Sequence, residues 1–295
     1  MDTFSGYHPV INFIYFVIVI GLSMFFMHPV FLVISLICSV AYGIYLKGKK
    51  TVKVFLFAML PSCLLMAIIN PLFSHAGATM LFYMKNGNPV TLESILYGIG
   101  AGVMLAGVVS WFSVFNEVMT SDKFMYLFGK AIPAASLLLS MVLRFVPRFN
   151  GQIKKVSQAQ QCIGRNVNNG KLYQRAMHGM KILSITMTWA LENSVETADS
   201  MKSRAYGLRG RTNFSIYRFD RRDSILLAFL LGVFALILIG MGKGWLKILY
   251  FPVFTINEVN IGSLLLYVLY AVLCAMPLIL NILEDIKWRS LRSEI

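Results

Sequence analysis

Charge is almost missing from the long apolar runs of this chain, and that absence excludes a whole class of transporter. No run has an acid or a base at its centre; Glu93 and Glu117 fall near the two ends of one of them. Ionisable residues inside membrane segments normally mark ion or proton paths, so a proton- or sodium-driven carrier is disfavoured. Histidine and cysteine are scarce as well, four of each. His8, His28, His75 and His178 stand far apart, and none pairs with Cys, Asp or Glu at ligand spacing, which leaves no metal site. Cys38, Cys63, Cys162 and Cys274 are scattered, three of them in apolar runs. They provide neither a disulfide framework nor a zinc spacing and suit small packing residues. There is also no phosphate-binding loop, no Gly-x-Ser-x-Gly and no His-Glu-x-x-His. No catalytic residue, cofactor or enzymatic activity is expected.

What the chain has in abundance is oil. Of its 295 residues, 57% are hydrophobic, and mean hydropathy is +0.69, above the roughly 45–50% apolar share of a soluble domain. The fold class expected is an all-α integral membrane protein. A bilayer core needs about 20 apolar residues of helix, and six runs approach that length: 9–27, 29–46, 53–73, 92–115, 224–242 and 262–283. Pro29 opens the second helix after a tight turn, Pro61 kinks the third, and Asn70-Pro71 ends it. "YGIGAGVMLAG" (97–107) reads as small-residue helix packing. No cleavable signal peptide is expected, because the first residues lack a basic region and a small-residue cleavage site.

The lysines orient the spans. "KGKKTVK" (47–53) holds four, whereas 74–91 holds only Lys85 and 243–261 only Lys243 and Lys247. The positive-inside rule then places 47–53, 120–222 and both termini in the cytoplasm. Residues 131–149 are apolar enough to pass for a seventh span. They are read instead as a helix lying at the membrane boundary, or as one half of a helical pair with 178–191 that dips in and returns; either keeps the parity, and the count of hydrophobic helices lies between six and eight. Three regions follow: 1–119 with four membrane helices, a basic cytoplasmic helical module at 120–222, and 223–295 with two more helices and a basic tail.

Residues 120–223 hold 17 Lys and Arg against six Asp and Glu, a surplus of 11 out of the chain's net +14. Within this segment a helix is expected at about 150–163, closed by "GRNVNNG", and a longer one at about 178–205, closed by "YGLRG". Met177, Met180, Met187, Leu191, Ala198 and Met201 recur along the second at near-helical spacing. Such a stripe is more often core than interface, although Met-rich surfaces also suit partners that must re-pack. Each helix finishes with an arginine near a glycine, Arg165 beside Gly164 and Arg204 before Gly207. An arginine there either answers the helix dipole or offers a planar donor to another protein's carboxylate.

The order "SMVLRFVPRF" (140–149), "QAQQCIG" (158–164), "SMKSRAYGLRGRT" (200–212) and a final pair of spans resembles the transmembrane T component of energy-coupling-factor importers for vitamins and metal ions. That family includes the Q-type subunit of cobalt transporters. The resemblance implies two coupling helices whose Ala-Arg-Gly-type ends dock on a pair of ABC ATPase subunits, with a substrate-binding S component held in the membrane by another face. Carried onto this chain, the second motif is Ser203-Arg204-Ala205. The first is Cys162-Ile163-Gly164, with Arg165 two positions past the place the family's arginine takes. ATPase docking is thus expected at Ser203, Arg204, Ala205, Gly164 and Arg165, and the S-component surface at Met180, Met187 and Leu191. The partners expected are two ATPases, an S component and the lipid bilayer, with no nucleic acid. Two other classes remain: a membrane-embedded enzyme acting on lipid, for which no His, Asp or Cys cluster exists, and an anchored adaptor for anionic lipid or nucleic acid, to which the basic segment would bring phosphate contacts.

Overall fold

A computed structural model describes residues 2–83, 89–129, 132–165, 171–206, 217–256 and 260–293. The chain is an all-α membrane protein that divides into two units, Met1–Phe124 with Tyr217–Ile295, and Met125–Ile216.

The first unit is a bundle of apolar helices. Helix α1 (Pro9–Phe25) starts with proline at its first position, and the His8 side chain accepts the Val10 N–H. Helix α2 (Pro29–Lys47) also opens on proline and closes on Gly48 at φ +57°. Helix α3 spans Lys49–Phe73 and contains a wider turn at Phe55–Met59, just before Pro61. It passes through Pro71 and stops at Phe73, so Asn70-Pro71 does not end it. The lost N–H falls in the last turn, where a single missing bond is tolerated. After the hairpin β1 (Met80–Tyr83) and β2 (Pro89–Thr91), α4 (Leu92–Val118) is capped by the Thr91 hydroxyl, which accepts from Ser94 N. Helix α5 (Ser121–Gly129) leads out of the unit. The chain returns through α8 (Arg221–Gly242), the short strands β3 (Ile248–Leu249) and β4 (Thr255–Ile256), and α9 (Ile261–Ser293). Helices α6 and α7 belong to the second unit.

Helices α2, α3, α4, α8 and α9 are each long and apolar enough to cross a membrane, and α1 is a shorter apolar helix. Helix α1 can be short because it is central: Ile11, Tyr15, Phe16 and Val19 are fully buried with Trp111, Leu230, Ile237 and Tyr270 from its neighbours. Helix α3 lies against α4 on Gly98, Gly102 and Ala106, which share one buried face at intervals of four. A Cβ on Gly102 would stand 2.9 Å from the Cys63 Cα, so the glycines at 97–107 serve close helix packing.

Polar side chains gather at the two ends of this bundle. At one end Lys47 pairs with Glu117 at 3.4 Å and donates to the Ser113 carbonyl, while Tyr45 donates to Asp285. The rings of His8 and Phe219 meet at that end too. At the other end Tyr250 donates to the Met27 carbonyl, Tyr267 bonds His28, and Ala78 N donates to the Pro252 carbonyl. Residues 123 and 217–223 both lie at the Lys47 end, so the chain leaves and re-enters the first unit on one side. The apolar stretch 131–149 therefore changes no parity.

In the second unit the expected break between 131–149 and 150–163 is absent. One helix, α6 (Pro133–Cys162), runs 30 residues through Pro147. Helix α7 (Leu172–Ser203) has 32 residues and begins six before the expected 178. The Arg148 guanidinium lies over the Trp189 ring at 5.6 Å. Both residues are far from the connecting turn, so the two helices run back along each other.

Candidate functional site

The α6–α7 hairpin presents an unusual division of faces. Toward α6, helix α7 turns Ile182, Thr186, Trp189, Asn193 and Thr197, at intervals of three and four; Ile182 and Thr186 are buried. Two of the hydroxyls bend back onto their own helix, Thr186 onto the Ile182 carbonyl at 2.7 Å and Thr197 onto that of Asn193 at 2.6 Å. The methionine stripe points the other way. Met180, Met187 and Leu191 are 62%, 64% and 69% exposed, and Val195 continues them. The stripe is therefore not the core of this hairpin, as its spacing alone would favour. On α6, Leu138, Val142 and Val146 form a second exposed apolar row at intervals of four. Apolar rows of this kind, left open on a pair of helices, mark a surface made for a partner or for lipid.

The two helix ends share one geometry. Gly164 N donates to the Gln161 carbonyl and Arg165 N to that of Gln160. Ala205 N donates to the Lys202 carbonyl and Tyr206 N to that of Met201. Both are Schellman caps, with the residue after the cap in the left-handed region: Gly164 at φ +78° and Ala205 at φ +58°. The capping position is Ile163 in the first and Arg204 in the second. Arg165 therefore occupies the second residue past its cap, a place that Tyr206 takes in the other. Matched by backbone geometry, the two arginines leave their helices at different points. Ser203, Arg204, Ala205, Gly164 and Arg165 are all exposed, and neither arginine makes an ion pair among the described residues.

The structure does not bring the two ends together. Helix α7 is about 48 Å long at 1.5 Å per residue, and the seven steps from Arg165 to its first residue, Leu172, cover at most about 25 Å. Arg165 and Arg204 thus stand about 20 Å or more apart, at opposite ends of the hairpin.

A second group of residues carried no signal in the sequence. Lys123, in α5, is 5% exposed and donates to the Ser5 carbonyl at 2.5 Å, the Ser5 hydroxyl at 2.8 Å and the Val118 carbonyl at 2.9 Å. Burial pushes its pKa below the usual lysine value, against the pull of Asp2. Asp2 accepts from Tyr42 and from the Asn281 amide, whose oxygen accepts from Thr3 N and Phe4 N. Residues 2–5 are thereby tied to three helices beside the point where the chain leaves for the second unit. Among the described residues no cluster of His, Cys, Asp and Glu could hold a metal ion.

No family profile matches the chain. Curated relatives do. It is 32% identical over 114 residues, 38% of this chain and 41% of the relative, to the energy-coupling factor transporter transmembrane protein EcfT of Lactobacillus helveticus. The EcfT of Brevibacillus brevis is 32% identical over 99 residues, 33% of this chain and 37% of that protein. A longer but weaker match, 22% over 187 residues, covers 56% of this chain and 70% of the EcfT of Staphylococcus aureus. The chain is a relative of the energy-coupling factor transmembrane proteins. It spans about 41% of the length of the Lactobacillus helveticus relative.

Proposed function

We propose that this chain is the transmembrane coupling subunit of an energy-coupling-factor importer in a bacterial cell membrane. It links ATP hydrolysis by two ABC ATPase subunits to movement of a substrate-binding S component for a vitamin or metal ion. The observation that carries the reading is the second unit. Its hairpin holds two like-capped ends about 20 Å or more apart and keeps an apolar face open between them. Two ATPases can engage the ends while one membrane protein covers the face. Arg204 is the principal contact: a guanidinium at a helix end can make two parallel hydrogen bonds to a carboxylate, fixing angle as well as distance. ATPase closure then reaches the helix as displacement. Arg165 serves the other end less directly, because Ile163 fills the capping position. Met180, Met187 and Leu191 grip the S component, and the basic residues of 209–222 meet the membrane surface. Both termini and residues 47–53 face the cytoplasm; residues 74–91 and 243–261 face outward.

Reconstitution in liposomes tests the proposal. The purified chain alone is expected to hydrolyse no ATP and to bind no vitamin or metal ion. Uptake is expected only with two ABC ATPase subunits and an S component present. Robust ATPase activity in the lone chain, or assembly with the ATPases unaffected by Arg204→Ala and Arg165→Ala together, would overturn it.

A further inference from the structure

The end of the first unit opposite Lys47 carries an apolar feature that coupling does not use. In the hairpin β1–β2, Met80, Leu81, Phe82 and Tyr83 are each more than half exposed. The register shifts between Met80 and Phe82; beyond it Phe82 and Tyr83, as successive strand residues, point to opposite faces, so both faces of β1 carry an exposed aromatic ring. A protein partner docked on one face would leave the other in water. A fluid apolar medium covers both.

Position says which medium. The hairpin joins α3 to α4, two helices of membrane-spanning length and composition. Only 6% of the apolar window of α3 is buried within the protein, so that helix is wrapped by lipid. Its exposed row of Leu64, Leu65, Ile68, Leu72 and Phe73 runs without interruption to the hairpin. Between them lies a cavity of about 410 Å³, lined by Ile68, Pro71 and Leu72 of α3, Phe82 and Val90 of the hairpin, and Ile95 of α4. That volume falls within the range of about 300–1,000 Å³ that small-molecule sites occupy. All of these side chains are apolar and none could orient a polar ligand.

Depth follows from the backbone. A two-stranded hairpin has unpaired edges, which the hydrocarbon core does not tolerate. It must therefore sit at headgroup level, where water reaches the edges and where Phe82 and Tyr83 match the aromatic belt of membrane proteins. From that level an acyl chain can descend along α3 into the cavity.

We infer that the paired strands Met80–Tyr83 and Pro89–Thr91 lie in the interface of the leaflet opposite Lys47, and that the cavity beneath Phe82 binds one phospholipid acyl chain. The site rests only on the membrane-spanning character of the chain and stands apart from the proposed coupling function.

Photolabelling tests it. The full chain is reconstituted in liposomes with phosphatidylglycerol carrying a diazirine at the acyl terminus, with and without its partner subunits. Adducts are mapped by mass spectrometry. Adducts are expected on both faces of β1, at Phe82 and Tyr83, and within the cavity at Ile68 and Leu72. Ile68→Trp fills the cavity and is expected to abolish the Leu72 and Phe82 adducts while leaving those at Leu64 and at Tyr83. A water-soluble diazirine labelling β1 as heavily as the lipid probe would overturn the interfacial position. Lipid adducts confined to one face of β1, or unchanged at Phe82 in Ile68→Trp, would overturn the acyl-chain site. Size-exclusion profiles of the variant and the parent keep misfolding apart from these outcomes.

Discussion

The first unit closes on itself, whereas the second stays open. In the first, large side chains such as Tyr15, Trp111 and Tyr270 are fully buried, and the polar ends are tied down by Lys47–Glu117, Tyr45–Asp285 and the contacts of Lys123. In the second, the fully buried positions on α7 are Ile182 and Thr186, while its methionines and leucines face outward. A unit that has a core of its own, and leaves the rest of its apolar surface on helices of membrane-spanning length, is a platform. One that turns them outward is waiting for something to cover them, since exposed apolar rows gain free energy only on association or in lipid.

The largest expected effect probes the open unit at its arginine-capped end. Arg204→Ala should weaken ATPase association by about 2–5 kcal/mol, the usual cost of removing one partner from a buried interfacial charge pair, with Arg204→Lys a poor replacement and Arg165→Ala milder. ATPase co-purification measures all three. An effect of only about 0.3–1 kcal/mol from Arg204→Ala would mean that the guanidinium serves its own helix dipole. Next, Leu191→Asp should cost a few kcal/mol of S-component binding by burying an unpaired charge. It should leave the melting temperature of the lone chain unchanged, because the residue is 69% exposed there. A lowered melting temperature would break the contrast between the units.

In the closed unit, Gly102→Leu should destabilise by about 1–3 kcal/mol, as overpacking does, because a side chain there meets the backbone of Cys63. Thermal unfolding in mild detergent measures this, and an unchanged transition would show that α3 is free to move off α4. A smaller gain should come from Ala205→Gly. Ala205 holds φ +58°, a region that glycine enters freely, so the substitution should stabilise α7 by about 0.5–1 kcal/mol. Hydrogen exchange in the last turn of that helix reads it.

The smallest effect is one of pH. Burial lowers the His28 pKa below 6.5, so the folded chain prefers the neutral ring while the unfolded chain takes the proton first. Stability from this residue is present above pH 6.5 and falls as pH drops from 6.5 through the lowered value. His28→Asn should flatten the decline in a pH series of thermal melts.

Much of the platform was legible in the sequence because its signals are local. Six apolar runs, Pro29 one residue past the first of them, small residues in 97–107 and lysines crowded on alternate loops each act through a few neighbouring residues or through bulk transfer to lipid. The boundary error at Asn70-Pro71 has the same origin: the pair read as a helix end, yet Pro71 lies inside a helix that runs to Phe73, where the remaining hydrogen bonds outweigh one that is missing. The Lys123 anchor had no local signal, since its acceptors at Ser5 and Val118 are backbone and hydroxyl oxygens from separate parts of the chain.

The sequence by itself determined that this is a helical membrane protein, how its loops alternate, and that Arg204 ends a long helix. Those properties follow from composition, charge and period, which any chain carries before it folds. Only the tertiary structure decided which way the methionine stripe faces, because helical spacing marks a face without saying what covers it. It alone decided that Ile163 and Arg204 are the equivalent positions, because equivalence lay in the Schellman hydrogen bonds and not in the spacing of arginines from glycines. It also set the two ends far apart, because α7 is rigid and runs its full length between them.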